Sequence, residues 1–158
     1  MSGPELPASR FRVPSDWVDY NGHMGDFAYG IAFSRSVTAL MEDIGLDETY
    51  RAAAQATLYT LEMRIGYQRE CHEGDSLVVQ TRVQAVDAKR MHLYQEMQAE
   101  DGPLLAWCEQ VLLHVARDSG TPRAAPFPSA TVDRLAALEA QHHAAARPAW
   151  LERRTGLG

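Results

Sequence analysis

From Leu58 onward the apolar residues of this chain alternate, and they go on alternating through four long runs. Tyr59, Leu61, Met63, Ile65 and Tyr67 fall on one side of the first run, and Thr60, Glu62, Arg64 and Gln68 on the other. That period of two is the signature of a strand. "SLVVQTRVQAV", "RMHLYQEMQA" and "LLAWCEQVLLHVA" continue it, with "HEGD" as a turn and "EDGP" as a hairpin centred on Asp101-Gly102. A single strong helix precedes them, from Asp26 to Ile44. Phe33, Val37, Leu40, Met41 and Ile44 recur at helical spacing along it, and Gly45-Leu46 suits a glycine stop. "DETYRAAAQA" reads as a short second helix. "ATVDRLAALEAQHHAAA" reads as a C-terminal one with a thin stripe of Val132, Leu135 and Leu138. Strands grouped behind one helix predict an α+β fold, not a parallel βαβ one. One helix covers one sheet face. Val78, Val86, Tyr94, Cys108 and Leu112 are expected on or near the other, so a second subunit is expected to cover it.

The chain's 158 residues suit one domain. Residues 1–10 are expected to be a flexible arm, 11–117 the folded domain and 118–158 a tail carrying the last helix. "FRVPSDWV" is a short extended segment interrupted by Pro14. A net charge of −6 argues against nucleic acid as a partner. No apolar run is long enough to span a membrane, and "MSGPELPASR" has no signal-like core. Two cysteines, Cys71 and Cys108, read as reduced thiols of a cytoplasmic protein. No metal is expected, since the pairs Cys71-His72 and His142-His143 lack ligand spacing. No G-x-S-x-G elbow, G-x-G-x-x-G or phosphate loop is present, and no cofactor is expected.

"WVDYNGHMGDFAYGIAFS" runs polar groups straight into the long helix. A helix N-terminus offers unpaired N–H groups and partial positive charge, which can hold an oxygen gaining negative charge. Asp19, on the loop before it, is placed to serve as general base or as nucleophile, with Gly22 letting the loop bend. Acyl transfer needs both parts. Asp19, Asn21 and Asp26 are equally ordinary turn and cap residues, and His23 alone reads first as a structural histidine.

The order of elements, with "DYNGHM" ahead of the helix, resembles the hotdog-fold acyl-CoA thioesterases of the 4-hydroxybenzoyl-CoA thioesterase-like group. "YQRECHEGDSLVVQTRV", "KRMHLYQEM" and "AWCEQVLLHV" resemble that group's later strands, and the likeness covers residues 11–117. It implies a hotdog fold, an acyl-CoA substrate, and a homodimer or homotetramer with its site at the interface. It assigns the catalytic carboxylate to Asp19, carbonyl polarisation to the N–H groups of Asp26 and Phe27, and the turn to Gly22, His23 and Met24. Glu62 would reach the partner's site. Relatives carry Asn where this chain has Gly25, followed here by Asp26; an acid at the helix mouth disfavours an anionic acyl group. "WVDYNGHM", "DAKRMHLYQEM" and "EQVLLHV" resemble the betainyl-CoA thioesterases in particular. A trimethylammonium group wants aromatic faces and carboxylates. Trp17, Tyr20, Tyr59 and Trp107 are candidates for the first, and Asp26, Glu62 and Glu109 for the second. Lys89-Arg90 is the first choice for the CoA phosphates among the basic residues. Two other classes stay open. A hydroxyacyl-thioester dehydratase would use His23 and an acid, and an acyl-CoA-binding protein would use no catalyst.

Overall fold

The computed structural model describes residues 6–143 and 148–157. Strand β1 (Ala8–Arg12) leads through a 3-10 turn to α1 (Asp26–Asp43) and α2 (Glu48–Ala54). Then come β2 (Ala56–Tyr67), β3 (Ser76–Val86), β4 (Arg90–Ala99), β5 (Leu104–Ala116), the two-residue β6 (Arg123–Ala124) and α3 (Ser129–His142). The strands form one antiparallel sheet in the order β1-β3-β4-β5-β2, with β6 on the end of β5. β1 takes in residues 8–10, so the strand starts inside the stretch expected to be a loose arm. Its register with β3, from Ala8↔Gln80 to Arg12↔Ser76, ties it down.

α1 lies across the inner sheet face because its apolar stripe matches the sheet's inward residues. Ala28, Ala32 and Phe33 pack with Leu77, Val79, Ala106 and Cys108. Val37, Leu40 and Met41 pack with Val83, Leu93 and Leu112. Each such large side chain removed from water contributes about 1.5–3 kcal/mol. The helix ends as its sequence specifies: Gly45 takes φ +87° and the Leu46 N–H donates to the Met41 carbonyl at 2.9 Å. Under the middle of α1 the polar side chains are satisfied in a row. Gln110 donates to Gln95 at 2.6 Å, and Gln95 donates to Thr81 and to the Phe33 carbonyl.

Two expectations about faces change. β2 is an edge strand, and it carries a bulge: Thr60 pairs with Leu112 and Glu62 with Val111, leaving Leu61 as the extra residue. The bulge reverses the alternation. Leu58 and Thr60 face inward before it, and Met63, Ile65 and Tyr67 after it, while Tyr59 turns to the outer face. The row read as a core face is therefore split, and Tyr59, Leu61, Met63 and Tyr67 are 38–55% exposed. Cys108 and Leu112, expected on or near the second face, lie inward against α1.

The chain's own tail covers part of the outer face, where a second subunit was expected. Leu151 sits with Tyr94 and Trp107, and the Arg64 guanidinium donates to the backbone carbonyls of Leu151 and Arg153. α3 closes the far end of the core. Leu135 is buried there, Thr131 donates to the Ile44 carbonyl, and the Val83 N–H, freed at a β3 bulge, donates to His142 Nδ1 at 2.8 Å. Burial, reinforced by Arg82, pushes the His142 imidazole below its usual range, so it stays neutral and Nδ1 stays an acceptor.

Candidate active site

The loop before α1 is built by its own backbone. Val18 bridges to Met24, the Asp19 N–H donates to the His23 carbonyl, and the Gly22 N–H returns to the Asp19 carbonyl at 3.0 Å. Gly22 holds φ +82°, which a glycine takes without strain. The Met24 N–H reaches Cys71 and the Gly25 N–H reaches Trp17, so the loop is pinned to the body on both sides.

Asp19 is half-buried within this frame. The Asn21 N–H holds its Oδ1 at 2.8 Å. Oδ2 lies beside Gly25, the N-cap of α1, 3.2 Å from where a β-carbon on that residue would stand. The same β-carbon would come within 2.5 Å of the Phe27 ring. Gly25 thus keeps the helix mouth open to the carboxylate, a role that the sequence signals only through the glycine's position ahead of the helix. One expected feature differs. The Phe27 N–H donates to Asp26 Oδ1 at 2.9 Å, so this donor holds the helix's own first-turn acid.

A cavity of about 310 Å³ opens beside the mouth, lined by His23, Met24, Asp26, Tyr29, Tyr67, Gln68, Arg69 and Glu70. Tyr29 and Tyr67 meet edge to face, 5.1 Å apart at 85°. The Tyr67 hydroxyl donates to the Asp26 carbonyl and the Tyr29 hydroxyl to the Arg69 carbonyl. Burial, joined by Cys71 for Tyr29 and by Asp26 for Tyr67, pushes both phenols up, so both remain neutral. His23 Nε2 lies 3.4 Å from Glu70. Tyr29, Tyr67 and Glu70 were not singled out from sequence. Tyr67 does lie on the inward face that its alternation predicts, but at the end of the edge strand β2, where it is half exposed and lines the cavity.

The other expected site residues scatter. Trp17 is core: it is 4% exposed, next to Phe11 and under the Arg35 guanidinium. Met24 is buried too, its sulfur 3.6 Å from that of Cys71. Tyr20 stands free at the loop tip and Asn21 contributes its backbone. Glu62, Tyr59, Trp107 and Glu109 occupy the outer face, across the sheet from α1. Trp107 is buried beneath Leu151. Glu109 is bound by Arg64 at 2.6 Å and His92 at 2.7 Å. Burial alone would raise its carboxyl, but those two partners outweigh burial and hold it below the usual range. Glu62 and Glu109 line a separate outer cavity of about 480 Å³ with the tail. Lys89 and Arg90 sit at the end of the sheet near the C-terminus of α1, some 27 Å along the helix from its mouth. There the Lys89 N–H, together with the Arg90 N–H and guanidinium, clamps Asp87 and brings its carboxyl down to about 2. Burial pushes the Cys108 thiol up to about 12, which removes it as a nucleophile. Among the described residues no cluster suits a metal, and no helix is long and apolar enough to cross a membrane.

A long helix held in a curled antiparallel sheet, with a carboxylate at the helix mouth, is the hotdog architecture of thioester hydrolases. The sequence profile of the Thioesterase-like superfamily matches residues 13–135, and the chain belongs to that superfamily. A betainyl-CoA thioesterase of Pseudomonas aeruginosa is 40% identical over 146 residues, which are 92% of this chain and 91% of that protein. An L-carnitine dehydrogenase/betainyl-CoA thioesterase of Agrobacterium fabrum is also 40% identical, over 82% of this chain but only 26% of the longer protein. A Staphylococcus aureus protein solved in complex with CoA superposes with a TM-score of 0.90 at 26% identity, over 100% of this chain and 99% of that one.

Proposed function

We propose that this acyl-CoA thioesterase hydrolyses betainyl-CoA to betaine and CoA, with Asp19 as its catalytic carboxylate. The observation that carries the reading is Asp19 Oδ2 held beside Gly25 at the mouth of α1. The thioester carbonyl enters against the first N–H groups of the helix and displaces Asp26 Oδ1 from the Phe27 N–H. Asp19 then takes a proton from the attacking water, or attacks the carbonyl carbon itself. With water as attacker, its oxygen bonds the carbonyl carbon, the carbon–sulfur bond breaks, and the CoA sulfur leaves with the proton that Asp19 took. With Asp19 as attacker, the thiolate leaves behind a mixed anhydride, which water hydrolyses to betaine and the free Asp19 carboxylate while its proton goes to the thiolate. The acid at the helix mouth suits a cationic acyl group. The relatives at 40% identity carry the betainyl-CoA name.

The working unit in this reading is a dimer joined along β2. That strand is a twelve-residue open edge bearing exposed Leu61, Met63 and Tyr67, a surface that is unstable against pairing when left bare. Antiparallel pairing of two β2 edges turns the second copy end for end. Its Lys89–Arg90 turn then comes to the end where the first copy's helix mouth lies, about 10 Å, two strand spacings, from the seam. Those cations are the proposed ligands of the CoA phosphates. The two free buried thiols suit a reducing compartment, and the cytoplasm is the proposed location.

Release of free thiol from a panel of betainyl-CoA, a medium straight-chain acyl-CoA and an aromatic acyl-CoA tests the reaction. Betainyl-CoA should give the highest kcat/KM. Preference for another acyl group would discard the substrate, and no thiol from any of them would discard the hydrolysis. Sedimentation equilibrium at micromolar protein should return at least twice the mass of one chain; a monomer would overturn the shared edge.

A further inference from the structure

Building on the betainyl-CoA reading, we propose that Tyr29, Tyr67, Asp26 and Glu70 form the subsite for the trimethylammonium end of the acyl group. A quaternary ammonium donates no hydrogen bond. It is recognised by aromatic faces and by carboxylates at a short distance. In a betainyl thioester the charge is one methylene from the carbonyl, so its subsite must share a wall with the helix mouth. Asp26 is that wall: it opens α1 and also lines the 310 Å³ cavity beside it.

The two rings meet there at 85° to one another, Tyr67 half exposed and the buried Tyr29 backing it. Each is pinned through its hydroxyl to a backbone carbonyl, so little ordering remains to be done on binding. Glu70 completes the acidic side, and Arg69 is the single guanidinium among the lining residues. The aromatics first suspected from sequence do not compete for this role. Trp17 and Trp107 do not line this cavity, and Glu109 is bound to Arg64 and His92 on the outer face.

The test compares betainyl-CoA with 3,3-dimethylbutanoyl-CoA, which has the same shape and no charge. The wild-type chain should prefer the charged thioester. Tyr67→Leu should cut the ratio of the two kcat/KM values by about tenfold, between an exposed and a fully desolvated cation–aromatic contact, and Glu70→Gln should lower the same ratio by removing a carboxylate. Tyr67→Phe, which keeps the ring and drops the hydroxyl, should retain most of the preference. Circular dichroism of each variant separates a lost subsite from a lost fold. A wild-type preference that survives unchanged in folded Tyr67→Leu and Glu70→Gln would overturn the subsite and leave the reaction standing. Equal rates for the two thioesters in the wild-type chain would overturn the betainyl reading and the subsite with it.

Discussion

Asp19→Asn should lower kcat by about 10²–10⁴-fold, the usual contribution of a positioned general base, while leaving the fold and the assembly intact. The amide matches the carboxylate in shape. Its oxygen can still accept the Asn21 N–H, so the loop from Val18 to Met24 keeps its hydrogen bonds. What the amide lacks is the capacity to take a proton or to attack a carbonyl at the Oδ2 position beside Gly25. KM should change far less than kcat, because nothing that grips CoA is removed. Thiol release by the purified variant, with its melting temperature measured alongside, decides the matter. Near-normal turnover in a folded variant would remove Asp19 from the chemistry and return it to the role of turn residue. Single-turnover hydrolysis in oxygen-labelled water then separates the two roles. Label found on Asp19 identifies it as the nucleophile, since a general base never bonds to the water oxygen.

The largest effect on stability should come from Gly66→Ala. Gly66 lies on the outer face of β2 opposite Trp107, and a β-carbon there would come within 2.1 Å of the indole. The ring has little room to retreat, because it packs with Tyr94 and Leu151 and lies under the Arg64 guanidinium. Overpacking of this kind costs about 1–3 kcal/mol. In a Trp107→Leu background the same alanine should cost close to nothing further, because the atoms it would meet are gone. Urea unfolding of the four chains of this cycle measures both quantities. An equal cost in the two backgrounds would show that the indole is not what excludes the side chain. A single methyl thus reports whether the outer face is as tightly covered by the tail as the packing of Leu151 indicates.

Local rules carried the element boundaries. Gly45 and Leu46 end α1 as a glycine stop should, and Asp101 and Gly102 turn β4 into β5. Asp19 and the helix mouth were legible for the same reason, since a loop of only residues 18–25 leaves a carboxylate few places to go. The aromatic lining of the neighbouring cavity was not. Trp17 and Trp107 look like ligand-binding residues in the string and are packed away in the fold. Tyr67 looks like a core residue and lines the cavity half exposed, with the buried Tyr29 against it.

The alternation of apolar residues and the caps of α1 were enough to determine an α+β chain with a carboxylate poised before its helix, because hydrophobic period and end-capping act over a few residues. The tertiary structure alone decided which strand lies at the edge, that Tyr59 and Leu61 leave the row of Met63, Ile65 and Tyr67, and that the tail covers Trp107. A one-residue bulge moves every later side chain of β2 to the opposite face, and pairing β2 with β5 sets it at the sheet's edge. Those choices depend on contacts between residues far apart in the chain, which no local pattern records.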